Sequence, residues 1–429
     1  MRLHTIALGC QMSAADSAEL AAPLARRGFG WAPTIEDADA VVISTCTVRQ
    51  HAEDRALSLI GSLKPWKEAD PDRVLIVAGC AAERLKGWLE KRFPYVDLVS
   101  GAKEIEEYPQ LVTQALGARF DALAEDRQSF ADNVPLPSPT GSPATAFLTV
   151  MRGCNYSCSY CIVPMVRGRE LYRPVRTILD EAKRLLDGGA KELMLLGQTV
   201  NSYAGELDGN KVRFADLLRL LDGLPGLSRL RFMSPHPFFV DERLADAMAE
   251  CPTICEQLHM PAQSGSDRVL KLMKRNYTRD AFLRKADMVR ARQPRVVFST
   301  DIIVGFPTET DEDFEMTLSL VERLAPASTY TFKYSPREST ESAAWTDDVP
   351  QEVKEERLSR LNETVDRLTQ DALRSMIGRE TEILTEEAGF GKTREGYNAR
   401  WEGAPGRPGE MVTVRVTGAT RRTLLGEIP

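Results

Sequence analysis

The chain has 429 residues, of which 43% are hydrophobic and 27% charged, with a formal net charge of -7. That length allows about three domains with sizeable cores, and the negative balance excludes a generally basic coat for nucleic acid while leaving room for a local basic patch. No run of about 18 uncharged apolar residues occurs and the opening MRLHTIALGCQ lacks a long apolar stretch, so neither a membrane anchor nor a secretory leader is expected. The expected compartment is the cytoplasm, where eight reduced cysteines serve more readily as metal ligands or catalytic thiols than as disulfides.

From residue 1 to 125 short apolar runs alternate with helical stretches. LHTIAL precedes DSAELAAPLARRG, AVVIS precedes HAEDRALSLIGSL, and VLIVAG precedes RLKGWLEKRF. This pattern predicts a Rossmann-like α/β domain with a doubly wound parallel sheet. Each run ends at a cysteine: Cys10 in LGCQ, Cys46 in STCT and Cys80 in AGCA. Open parallel sheets bind ligands at the carboxyl ends of their strands, so these three distant thiols are expected to meet there. Residues 126–145, rich in Pro and Ser and without periodicity, read as a linker.

Residues 146–375 resume the alternation. AFLTVM, ELMLLG, LRFMS, CEQLHM, VVFSTDIIVGF and STYTFKY are six candidate strands, with TILDEAKRLLDGG, FADLLRLLDGL and DEDFEMTLSLVERLA as helices between them. A partial (β/α)6 barrel is predicted, with function at the carboxyl-end face of its strands. MRGCNYSCSYCIVP, carrying Cys154, Cys158 and Cys161, follows the first of these strands. The charged stretch QEVKEERLSRLNETVDRLTQDALRS is a helix with a solvated face. From 376 to 429, ETEILTE, ARWEG, EMVTVRVTGA and RTLLGEI predict a small β-barrel. From residue 389 it carries seven Lys or Arg against four Glu, locally basic on an acidic chain.

Thiolates select zinc or iron-sulfur clusters, and a structural zinc site normally closes with four protein ligands. Three cysteines on a 4Fe-4S cluster leave one iron open to a substrate or cosubstrate. The Cys-x3-Cys-x2-Cys spacing, with Tyr160 before the third cysteine, resembles the radical S-adenosylmethionine superfamily. The resemblance implies that the open iron chelates S-adenosylmethionine, which one electron cleaves to a 5′-deoxyadenosyl radical. Together with GCQM, TCTVRQHAE, AGCAAE, LGQTVNSY, SPHP, HMPAQSGS and TDIIVGFPTET, nearly the whole chain looks like the methylthiotransferase family. Gln-Met after Cys10, and Arg49 followed by an acid-containing helix, are closest to its MiaB-type branch. That branch adds a methylthio group to carbon 2 of N6-isopentenyladenosine at position 37 of tRNA. Thr47-Val48 instead resembles the branch acting on threonylcarbamoyladenosine, which stands as an alternative beside a cluster-containing RNA-binding protein without turnover. Ser13 and Ser44 depart from the family, which usually has Asn there.

The resemblance further implies a second 4Fe-4S cluster on Cys10, Cys46 and Cys80, carrying the sulfur to be methylated and transferred. For S-adenosylmethionine, the polar groups at barrel strand ends are candidates: Gln198 and Asn201 after the second strand, Gln263 and Ser264 after the fourth, and Tyr160 against the adenine. The C-terminal domain is similar to the TRAM domain of the family, with Arg394, Arg400, Trp401, Arg421 and Arg422 as candidates to hold a single-stranded anticodon loop. The expected partner is tRNA, approached by a monomer; the sequence identifies neither the electron donor nor the sulfur source. Cys251, Cys255 and Met151 read as core. His236 and His259 read equally as cavity-lining or structural. GFGKT at 389–393 is no phosphate loop, because Glu386 stands where that motif needs glycine.

Overall fold

The computed structural model describes residues 1–117 and 144–429. The predicted linker lies outside the described residues except for its last two positions, and a strand already begins at Thr145. The chain divides into two compact units. One is N-terminal and also includes Gly153–Asn155 and Ile162–Arg169; the other includes Tyr156–Cys161 and Glu170–Pro429.

The first unit is a five-stranded parallel sheet in the order β2-β1-β3-β4-β5. Its strands are β1 (Arg2–Leu8), β2 (Gly30–Trp31), β3 (Ala40–Thr45), β4 (Val74–Gly79) and β5 (Leu98–Gly101). AVVIST and VLIVAG are buried throughout, as central parallel strands covered on both faces must be. Their side chains alternate between two cores. Val42 and Ile76 join Leu20, Leu24 and Val112 on one face, while Val41, Ile43, Leu75 and Val77 join Ile60 and Leu89 on the other. The doubly wound prediction holds, with β2 and β5 added; both are too short to announce themselves as apolar runs.

In the second unit β6 (Thr145–Thr149) leads into a two-residue pairing of β7 (Met151–Arg152) with β8 (Leu171–Tyr172). The six expected barrel strands are β6, β9 (Glu192–Leu196), β12 (Arg229–Phe232), β13 (Gln257–His259), β14 (Val297–Val304) and β15 (Ser328–Lys333). They form parallel ladders β12-β9-β6 and β13-β14-β15, linked by a parallel bridge between Leu230 and Ile254. An unforeseen hairpin of β10 (Ala204–Leu207) and β11 (Asn210–Arg213) follows β9. The amphipathic helices Val175–Asp187, Phe214–Asp222 and Asp311–Leu324 bury Ile178, Leu217, Leu218, Phe314 and Leu320 in one core with these strands.

The C-terminal segment is a closed five-stranded barrel in the order β16-β17-β18-β20-β19. Its strands are β16 (Glu380–Glu387), β17 (Phe390–Thr393), β18 (Asn398–Glu402), β19 (Met411–Ala419) and β20 (Thr423–Glu427). FGKT is β17, a strand in place of a phosphate loop. The barrel belongs to the second unit because two buried arginines of β12 reach into it. Arg229 donates to the Lys392 and Glu382 carbonyls at 2.6 and 2.9 Å, and Arg231 to the Thr393 and Arg394 carbonyls at 2.7 and 2.9 Å. Glu192, 2.7 Å from Arg231, offsets the charge of its buried guanidinium. Among the described residues no helix is long and apolar enough to cross a membrane.

Candidate metal centres

Three strand ends of the first unit deliver three thiols. Cys10 caps the helix Gln11–Ala25, Cys46 follows β3, and Cys80 opens the helix Cys80–Arg92. Two of the thiols thus stand at helix N-termini, where the dipole favours a thiolate. The preceding glycines make the approach feasible. A Cβ on Gly9, at φ +146°, would lie 2.1 Å from the Cys46 Cβ, and one on Gly79, at φ +105°, would lie 2.5 Å from the Thr45 carbonyl oxygen.

Cys46 and Cys80 are buried and Cys10 is exposed. A hydrogen bond with Cys46 holds the Cys10 thiol well below its ordinary pKa. The same bond, together with burial, pushes Cys46 far up. Burial also raises Cys80, which feels the charges of Cys10, Asp16 and Arg167. The three thiols thus follow the carboxyl ends of the adjacent parallel strands β1, β3 and β4, with Ser13 Oγ 3.7 Å from Cys10 Sγ. Ser44, two residues before Cys46, is fully buried and its hydroxyl has no partner.

Two residues that the sequence reading passed over complete this site. Arg167, from the short helix Val163–Arg167, donates its Nε–H to Cys80 Sγ at 3.2 Å and pairs with Asp16 at 2.6 Å. The signal for Asp16 was there: Ser13, Asp16 and Ser17 recur at helical spacing on a buried face. Behind Cys46, Thr47 donates to the buried Glu53 carboxylate, to which Arg84 also pairs. Among the described residues no three His, Cys, Asp or Glu side chains are arranged for a single metal ion. Soft, converging donors beside a cation suit instead a multi-iron cluster, which takes one thiolate per iron.

The second cysteine set lies in the loop after β6. Cys154 N–H donates to the Gly168 carbonyl at 3.1 Å within the first unit, whereas Cys158 and Cys161 belong to the second, where Cys161 N–H donates to the Cys158 carbonyl at 3.0 Å. Ser159 ties this stretch to the Leu272 carbonyl through Oγ at 2.8 Å. Half-buried Arg275, also unanticipated, donates to Cys158 Sγ at 3.4 Å, to the Tyr277 hydroxyl at 2.8 Å and to the Pro261 carbonyl at 3.2 Å. Tyr160 packs on Val269, Met273, Phe306 and Tyr334, and burial raises its phenol above the ordinary range.

The candidate cosubstrate residues divide. Asn201 accepts the His236 N–H at 2.7 Å and donates to its carbonyl at 3.0 Å, so its amide is a backbone clamp. Ser264 is likewise internal, accepting from Ser266 N–H at 3.2 Å beside Thr317. Gln198 lies half-buried in the loop after β9. Gln263, buried at φ +71°, bridges to Ile302 through its backbone, and its amide has no partner among the described residues. His236 stacks on Tyr156 at 4.3 Å and accepts the Phe238 N–H on Nδ1, which puts its proton on Nε2, buried and without a partner. Burial, with Arg275 and Lys285 nearby, pushes its pKa down to about 3, so the ring is neutral. His259 is structural, 2.9 Å from Ser299 Oγ, and Cys251, Cys255 and Met151 are buried as expected.

On the C-terminal barrel two candidates turn inward. Trp401 is in the barrel core with Nε1–H on the Ala404 carbonyl, because alternate residues of a closed barrel must fill its interior. Arg394 is held by Glu256 at 2.8 Å and by the Pro252 and Ile254 carbonyls, a further clamp on the larger barrel. Arg400 lies over the Phe390 ring at 5.3 Å, Arg421 pairs with Asp366, and Arg400 and Arg422 are exposed.

An incomplete parallel barrel with a three-cysteine loop after its first strand defines a radical S-adenosylmethionine enzyme. The family model described as the Radical SAM superfamily matches residues 148–321, and that described as Uncharacterized protein family UPF0004 matches residues 2–101. Such membership brings S-adenosylmethionine and a 4Fe-4S cluster. The chain belongs to the family of tRNA-2-methylthio-N(6)-dimethylallyladenosine synthases. It is 38% identical to the synthase of Clostridium botulinum (strain Loch Maree / Type A3), over 98% of this chain and 95% of that protein. The synthase of Acetivibrio thermocellus is also 38% identical, over 98% of this chain and 89% of its own length. Two solved structures share the fold. The radical S-adenosylmethionine methyltransferase TsrM of Kitasatospora setae superposes with TM-score 0.58 at 16% identity, over 80% of this chain and 75% of its own. The cobalamin-dependent radical enzyme OxsB gives 0.51 at 12%, over 86% and 56%.

Proposed function

We propose that this protein adds a methylthio group to carbon 2 of N6-isopentenyladenosine at position 37 of the tRNA anticodon loop, in the cytoplasm. What supports this reading is that Cys10, Cys46 and Cys80 each follow the carboxyl end of one of three adjacent parallel strands, in a chain that is 38% identical over 98% of its length to a tRNA-2-methylthio-N(6)-dimethylallyladenosine synthase. Cys154, Cys158 and Cys161 would hold the cluster at which S-adenosylmethionine is cleaved, and the first-unit cysteines a second cluster. When bound, these groups supply a carbon-centred radical and a deliverable methylated sulfur. The chain's own residues then have definite tasks. Arg275 holds Cys158 through a hydrogen bond to its sulfur. Gln263 offers a free amide, and the neutral His236 a fixed Nε2–H donor, at the carboxyl-end face where barrel enzymes bind their substrates. Arg400, Arg421 and Arg422 present cations for RNA phosphates. A strain deleted for this gene should lose the 2-methylthio mark on isopentenyladenosine in nucleoside mass spectrometry while keeping modified threonylcarbamoyladenosine. Loss of only the latter mark would move the chain to the other branch.

A further inference from the structure

Both thiol sets present the same three donors, so any difference between the clusters they hold must come from their surroundings. In each set a sulfur is hydrogen-bonded to a guanidinium, buried at Arg167 and half-buried at Arg275, and the two guanidiniums are balanced differently. Arg167, at Cys80, pairs with Asp16 at 2.6 Å, with side chains only 5% and 4% exposed. Its charge is cancelled locally. Arg275, at Cys158, has the Tyr277 hydroxyl and the Pro261 carbonyl as its other partners, and no carboxylate pairs with it among the described residues. One positive charge there stays uncompensated. Cluster potentials follow net charge and hydrogen bonds to sulfur, and buried or partly buried charges are screened less than exposed ones. Added positive charge favours the reduced state, which carries one more electron.

We propose that Arg167 with Asp16, and Arg275 without a counter-ion, are positioning residues that direct the first electron to the cluster on Cys154, Cys158 and Cys161 and leave the one on Cys10, Cys46 and Cys80 oxidised. The electron comes from a one-electron reductant of the reduced-flavin or iron-sulfur protein class. One cluster gains it, and nothing is exchanged at the other. Arg167 and Asp16 thereby keep the sulfur-bearing site out of the electron's path until cosubstrate cleavage has used it. The inference rests on the proposal that both sets hold clusters.

The test is an anaerobic redox titration of the reconstituted full-length protein, followed by electron paramagnetic resonance, with dithionite as reductant. Asp16→Asn, nearly isosteric, removes the cancelling charge and should raise the potential of the first-unit cluster while leaving the other in place. Arg275→Gln should lower the potential of the loop cluster alone. Arg167→Lys, which retains charge, should stay closer to the parent than Arg167→Gln. Unmoved potentials in Asp16→Asn, or both clusters shifting together, would overturn the inference even with the parent fully loaded. A parent protein that takes only about four irons per chain would overturn the two-cluster reading itself, and this inference with it.

Discussion

The glycines at positions 9 and 79 show how narrowly the first thiol set is built. A side chain at Gly79 would have to occupy φ +105° and overlap the Thr45 carbonyl, so Gly79→Ala should destabilise the first unit by about 1–3 kcal/mol. Chemical denaturation measures that loss, and iron analysis should show the first-unit cluster depleted. Replacing Cys10, Cys46 and Cys80 by alanine should lower bound iron from about eight to about four per chain. Release of 5′-deoxyadenosine should persist, with methylthio product absent from the nucleoside profile. On the small barrel, Trp401→Ala should cost about 3–5 kcal/mol, because it empties a core position. Alanine at Arg400, Arg421 and Arg422 should leave melting unchanged and weaken tRNA binding, as read by filter binding at several salt concentrations.

Helix starts do much of the positioning. Thr310 caps Asp311–Leu324 with Asp313 in a capping box, and Asp313 also receives Ser266 Oγ and Arg268. Partial desolvation works against ionisation here, yet hydrogen bonds from Arg268, Ser266 and Thr310 hold the Asp313 carboxyl down at about 2, below its ordinary 3.8. A depressed carboxyl stabilises the fold fully above the unfolded value and loses that contribution as pH falls through the folded one. The melting-temperature gap between the parent and Asp313→Asn should therefore be constant above about pH 5 and close between about pH 4 and 2. The same helix supports the turn beside Gln263, Asp313 at its start holding Ser266 and Thr317 further along holding Ser264 and Gly265. Protonation of Asp313 is thus expected to loosen a strand-end turn on the barrel before the core gives way.

At the scale of the molecule, the second unit joins a partial barrel to a closed one through buried cations. Arg229 and Arg231 satisfy four backbone carbonyls of the small barrel, and Arg394 returns the contact to Glu256. Replacement of Arg229 by methionine, which strands no buried carboxylate, should leave the larger barrel folded and expose the segment near residue 376 to protease. Limited proteolysis followed by mass analysis would show the C-terminal fragment released early, whereas an unchanged digestion pattern would mean that Arg229 is not needed to hold it.

Strand and helix periodicity, the glycine-cysteine pairs and the spacing of Cys154, Cys158 and Cys161 were legible directly, because each is a local pattern dictated by backbone geometry or ligand reach. So were the six barrel strands, although β12 carries two arginines and β15 is only partly buried. What the chain order hides is pairing across it. Arg167 and Asp16 are 151 positions apart and Arg275 and Cys158 are 117 apart, and no local rule couples them. Trp401 and Arg394 looked like an RNA-facing pair because residue type alone does not say which side of a strand faces inward. Closure of the barrel decided that, and the desolvation of each buried cation then dictated which carboxylates and carbonyls had to stand beside it.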